Sequence, residues 1–99
     1  MKDNHRIYLV LITIDLIIAD ADSLKSKRAV IKRIKDRIKS RFNVSIAEVG
    51  ELEKWQRSSL AITMVSNEKK KLQQDADRLK DGLLSITEVS LSDFYVEWL

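Results

Sequence analysis

The stretch RIYLVLITIDLII, residues 6–18, decides the fold. It is rich in Ile, Val, Leu and Tyr, lacks any three-to-four spacing of polar groups, and runs into the Asp-bearing turn Ala19 to Asp22, which makes it a β-strand rather than a helix. Its odd positions Ile7, Leu9, Leu11 and Ile17 and its even positions Tyr8, Val10, Ile12, Ile14, Leu16 and Ile18 are nearly all apolar. Both faces therefore call for burial, and the strand reads as a central one. One layer of helices covers only one of those faces.

Immediately after the turn comes Ser23 to Phe42, SLKSKRAVIKRIKDRIKSRF. Ser23 is a good N-cap, because its hydroxyl can accept from an otherwise orphaned first-turn amide. Leu24, Val30, Ile31, Ile34, Ile38 and Phe42 fall on one helical face, the stripe that docks an amphipathic helix on a sheet, and Asn43 offers a stop. Val44, Ile46 and Val49 predict a short second strand, followed from Gly50 by a polar connection. Ser59 to Ser66 predicts a third strand, alternating Leu60, Ile62 and Met64 against Ala61, Thr63 and Val65. Leu72, Ala76, Leu79 and Leu83 then repeat at helical spacing from an Asn67 cap, with Gly82 near the end, and Thr87 to Trp98 supplies a fourth strand with a bend near Asp93.

The order β-α-β-β-α-β is the split βαβ pattern of the ferredoxin-like fold. The expected architecture is α+β, one domain over residues 1–99, with a four-stranded antiparallel sheet in order 4-1-3-2 and two helices on one face. Setting the first and third strands as parallel neighbours, each leading directly into a helix, makes the two helix N-termini emerge at the same end. That expectation gathers Lys25, Lys27 and Arg28 with Lys69, Lys70 and Lys71 at one pole, where free amides and cations would suit phosphate or another anion. The plain alternative is that Asp20, Asp22 and Glu68 neutralise it.

Charge is the main functional clue. Ser23 to Phe42 carries nine Lys/Arg and a single acid, Asp36, so the stretch is +8 and the remainder of a +3 chain is −5. Lys25, Arg28, Lys32, Lys35 and Lys39 recur at alternating three and four and form one row beside the apolar stripe, a spacing able to track a phosphate backbone. Solvated helix faces also look like this, although they usually intersperse both signs. A separate candidate is Trp55-Gln56-Arg57, in which Trp can stack on a base, Arg can pair with phosphate and Gln can read hydrogen bonds. It is expected at the pole opposite the helix N-termini. The ordinary alternative for it is a Trp packed over the core edge, with Gln and Arg closing turn amides.

Other classes lack their parts. The chain has no cysteine and one histidine, His5, so neither a disulfide framework nor a His/Cys metal site is expected, and reduced cytosol is the natural compartment. The longest apolar run is too short to span a bilayer. Asp15 sits in a hydrophobic strand without a His, Cys or second carboxylate placed to work with it, the Ser residues show no nucleophile signature, and the first strand-to-helix turn is not glycine-rich. No enzyme and no cofactor are expected.

SLKSKRAVIKRIKDRIKSRFNVSIAEVGE followed by WQRSSLAITMVSN resembles the YlxP-like proteins, a small bacterial family of unknown function marked by SLK-x-KR, FNVS-[VI]-AEV and WQR…VSN. The marks fall on Ser23, Leu24, Lys25, Lys27 and Arg28, on Phe42 to Ser45 and Ala47 to Val49, and on Trp55, Gln56, Arg57 and Val65 to Asn67. The resemblance implies a cytoplasmic ferredoxin-like domain whose genes often lie beside those of translation initiation and ribosome-maturation factors. It implies no active site. Two functions are therefore expected: an RNA- or ribosome-associated binding module using the basic helix, or a homo-oligomer, most simply a dimer, that buries the uncovered sheet face.

Overall fold

A computed structural model describes residues 5–99. Strand β1 spans Tyr8–Ile17, helix α1 Leu24–Arg41, strand β2 Ser45–Gly50, strand β3 Arg57–Ser66, helix α2 Lys69–Leu84 and strand β4 Ser90–Trp98. All four strands lie in one antiparallel sheet in the order β2-β3-β1-β4, the ferredoxin-like arrangement.

The even positions of β1 decide which face the helices cover. Val10, Ile12, Ile14 and Leu16 are fully buried, along with Leu60, Ile62 and Met64 of the β3 register opposite them. Ile31, Ile34 and Ile38 of α1 and Leu72, Ala76, Leu79 and Leu83 of α2 close the same core. The odd positions point to the uncovered face. There Leu9 pairs with Val65, and Thr13 lies between Ala61 and Tyr95, with Ala47 beyond.

Helix starts differ in how they are held. At α1 the Ser23 hydroxyl accepts from the Ser26 amide at 3.0 Å, while the Ser26 hydroxyl accepts from the Ser23 amide at 3.2 Å, a reciprocal capping box. At α2 the N-cap is Glu68, not Asn67, and no side chain caps it. The bend expected near Asp93 is a bulge: Asp15 faces Asp93 but Leu16 faces Leu91, leaving Ser92 as the extra residue.

One expectation about the poles is overturned. β1 and β3 run antiparallel, with Tyr8 opposite Ser66 and Ile17 opposite Arg57. Strands that alternate in direction send their following helices off opposite ends. The α1 start with Lys25, Lys27 and Arg28 and the α2 start with Lys69, Lys70 and Lys71 are therefore not one cationic pole.

Candidate functional site

Lys27 departs furthest from its expected role as an anion-binding cation, because it is fully buried. Its place at the α1 spacing 27, 31, 34, 38 sets it inside the apolar stripe, four residues before Ile31, so the helix phase carries it inward. There Nζ meets Glu48 Oε2 at 2.9 Å and donates to the Glu51 carbonyl at 2.6 Å, with the Leu52 carbonyl at 3.5 Å. Glu48 lies on the helix-facing side of β2 and also accepts from the Ser58 hydroxyl at 2.7 Å, and Ser58 is itself buried. A buried ammonium needs such a shell of acceptors, since an unpaired charge in the interior is prohibitive. Lys27 thus fastens α1 to β2 and to the connection 51–56, and offers nothing to a surface ligand.

That connection is fastened a second time. The Ile18 amide donates to the Gln56 carbonyl at 2.9 Å, and Gln56 Nε2 donates to the carbonyls of Ala19 at 3.1 Å and Ala21 at 3.3 Å. Trp55, Gln56 and Arg57 therefore stand at the α1 start, not at the far pole, because the β2–β3 hairpin closes beside the end of β1. The Gln56 amide is used in holding the β1–α1 turn. Trp55 and Leu52 remain about half exposed, and Glu51 holds the left-handed backbone with φ of 60°. Exposed acids Asp20, Asp22, Glu51 and Glu53 crowd this end, and Glu51 pairs with Lys54 at 2.8 Å. The loop is a firmly held protrusion of mixed charge.

The cations that do reach solvent form a row. Lys25, Arg28, Lys32 and Lys39 are exposed and Lys35 is half-buried. Arg28, Lys32 and Lys35 line a shallow groove with Ile31 and Glu48, which places the row on the β2 side of α1. From Lys25 to Lys39 the helix rises about 21 Å, or roughly six nucleotide steps at duplex spacing. Lys32 pairs with Asp36 at 2.7 Å, both side chains well exposed, a contact worth little on its own. The Lys32 hydrogen bond is the main reason the Asp36 carboxyl sits below the ordinary carboxylate range; partial desolvation opposes it, and the charges of Lys32, Lys39 and Lys35 add to the lowering. The acid thus senses the field of the row.

At the other end of the sheet Lys69 lies 5.2 Å from the Trp98 ring, Lys71 pairs with Asp75 at 3.1 Å, and Lys70 is exposed. This is a smaller, separate patch. Asp15 forms no ion pair among the described residues; it accepts from the Ser59 hydroxyl at 2.6 Å on the uncovered face.

Among the described residues no group of His, Cys, Asp and Glu is placed to hold a metal ion, and no helix is long and apolar enough to cross a membrane. The family description "Protein of unknown function (DUF503)" matches residues 9–96. The chain belongs to the DUF503 family. It is also 40% identical over 84 residues to the uncharacterized protein YlxP of Bacillus subtilis (strain 168), an alignment that covers 85% of this chain and 91% of that protein. Within this DUF503 member, three residues of the YlxP-like marks, Lys27, Glu48 and Gln56, are fastening groups, whereas Lys25, Arg28 and Trp55 face solvent. The signal for the buried lysine lies in the sequence: a lysine at an apolar-stripe position, with an acid on a helix-facing strand position to receive it.

Proposed function

We propose that this chain is a non-catalytic binding module that engages RNA, free or within the ribosome, through the exposed flank of α1. The observation that carries the reading is the row Lys25, Arg28, Lys32, Lys35 and Lys39, lying along one side of one helix with Asp36 as the only acid in that helix. Rigid backbone spacing lets several ammonium and guanidinium groups meet successive phosphates, and each such pairing releases condensed counterions. Lys27 takes no part. Lys69 and Lys70 lie too far round the fold to extend the row, and serve at most as a second patch. Such a module would work in the cytosol.

Cosedimentation with ribosomes and RNA gel shifts across a salt series test this. Charge reversal of Lys25, Arg28 and Lys32 to Glu should abolish binding. Neutralising these cations one at a time should flatten the salt dependence by about 0.7 to 0.9 in log–log slope per phosphate no longer engaged. Affinity that survives the triple reversal overturns the site.

A second reading rests on a different observation. The uncovered sheet face presents Leu9, Val49, Val65 and Tyr95, each 36% to 62% exposed, around small residues such as Ala47 and Ala61. Full burial of an exposed large side chain contributes roughly 1.5 to 3 kcal/mol, so covering the part still exposed here contributes about 0.5 to 1.9 kcal/mol for each, which favours a symmetric dimer through this face. The α1 rows lie outside that face, so a dimer would carry two of them and bind RNA more tightly through multivalency.

A further inference from the structure

The two helices meet antiparallel along a short overlap, where Arg33 pairs with Glu88 just beyond α2 and Arg78 lies 5.5 Å from the Phe42 ring. Between them opens a groove of about 100 Å³. Its floor is apolar, made by Ile38, Phe42, Leu83 and Ile86, and its rim carries Arg37, Arg41 and Arg78. No lining residue is acidic. Arg37 and Arg41 have no ion-pair partner among the described residues, and Arg78 reaches Asp75 only at 3.6 Å. Gly82 lines the groove too, in the last turn of α2, where its backbone takes no left-handed conformation and a Cβ would meet nothing within 4 Å. The fold does not demand glycine at this position. Its missing side chain keeps the groove open.

We infer that this groove is a docking site for an acidic segment of another protein, one Leu or Phe side chain seated on the floor and flanking carboxylates held by Arg37, Arg41 and Arg78. Size argues against a free small molecule, because such sites typically enclose roughly 300 to 1,000 Å³ and this one has room for a single side chain. That is the scale of an anchor pocket at a protein interface. Charge completes the identification. Guanidinium groups fork onto carboxylates with two parallel hydrogen bonds, and an apolar floor between them rewards a ligand that is acidic at its edges and greasy at its centre. A phosphate backbone would satisfy the rim and leave the floor empty. The site lies on the α2 side of α1, away from the lysine row, and stands independently of RNA binding.

The test uses ¹⁵N-labelled full-length protein and the hexapeptide Asp-Glu-Leu-Phe-Glu-Asp, with a version in which Ala replaces Leu and Phe, and hexauridylate as a matched polyanion. The chain has only two glycines, Gly50 and Gly82, so the Gly82 amide is an easily resolved reporter. The peptide should shift Gly82 and the Arg37, Arg41 and Arg78 side-chain signals saturably, while Gly50 stays put. The Ala version should bind about tenfold more weakly or worse. Gly82→Leu, which fills the groove, and the exposed pair Arg37→Glu with Arg41→Glu should each weaken the peptide by about tenfold, with the remaining spectrum preserved. The pair keeps the test valid if Gly82→Leu perturbs the helix. The inference is overturned by no saturable shift below about 1 mM, by equal binding of the Ala version, or by hexauridylate moving Gly82 when the peptide does not.

Discussion

Replacing Lys27 by Met asks whether the buried ammonium holds the fold together. Met preserves most of the stem and its packing but removes the charge, so the effect isolates the polar shell. Two short interactions vanish, to Glu48 at 2.9 Å and to the Glu51 carbonyl at 2.6 Å. Hydrogen bonds to a charged group contribute roughly 1.5 to 3 kcal/mol each, and stripping one partner from a buried pair costs about 3 to 5 kcal/mol. Glu48 keeps the Ser58 hydroxyl and is 17% exposed, so part of its charge can be solvated and the lower end applies. A destabilisation of about 3 kcal/mol is expected, a drop in Tm of roughly 12 to 24 °C for a domain of this size. Urea unfolding followed by circular dichroism measures it. Adding Glu48→Gln, which retains an acceptor for Ser58 while removing the stranded charge, should recover about 1 kcal/mol or more. A Lys27→Met effect below about 1 kcal/mol, accompanied by weakened RNA binding, would refute the reasoning and return Lys27 to the surface.

The two glycines should respond oppositely to alanine. Gly82→Ala should stabilise by about 0.5 to 1 kcal/mol, whereas Gly50→Ala forces a Cβ to 3.0 Å from the Ser59 Cβ and should destabilise, both read from urea midpoints. The Asp36 carboxyl should titrate below the usual carboxylate range by NMR, and Lys32→Ala should raise it most, with Lys35→Ala and Lys39→Ala acting in the same direction. Because that pKa is depressed in the folded chain, the pair's small contribution to stability is present above the unfolded carboxylate pKa and is lost as pH falls through the lower folded value. Glutamate at Leu9 and Val65, opposite each other on the uncovered face, should convert a dimer to monomer in light scattering; a wild-type monomer at micromolar concentration contradicts the second reading.

Much of the architecture was legible along the chain. The doubly apolar β1, the Ser23 cap and the Leu72-Ala76-Leu79-Leu83 spacing each state a local preference that the fold obeys. The candidate site was legible only in part. Lys25 and Lys27 look alike in a charge count, yet two residues along a helix turn the side chain by about 200°, and only one of them reaches solvent. Gln56 reads as a hydrogen-bonding group without saying to what. Its partners, the carbonyls of Ala19 and Ala21, are distant in sequence and come near only when the β2–β3 hairpin closes.

Periodicity and composition by themselves determined the element order, the segregation of +8 onto one helix and the presence of apolar residues on both faces of β1. Tertiary structure alone decided where those charges and faces go. Antiparallel pairing of β1 with β3 separated the two basic helix starts and brought Trp55 to Arg57 beside α1. Long-range packing also converted Lys27 from one cation among nine into an interior ion pair, because a charge is buried only where acceptors from other segments converge on it. The groove between the helices has the same origin. Arg37, Arg41 and Arg78 acquire a common apolar floor only once α1 and α2 lie side by side on the sheet.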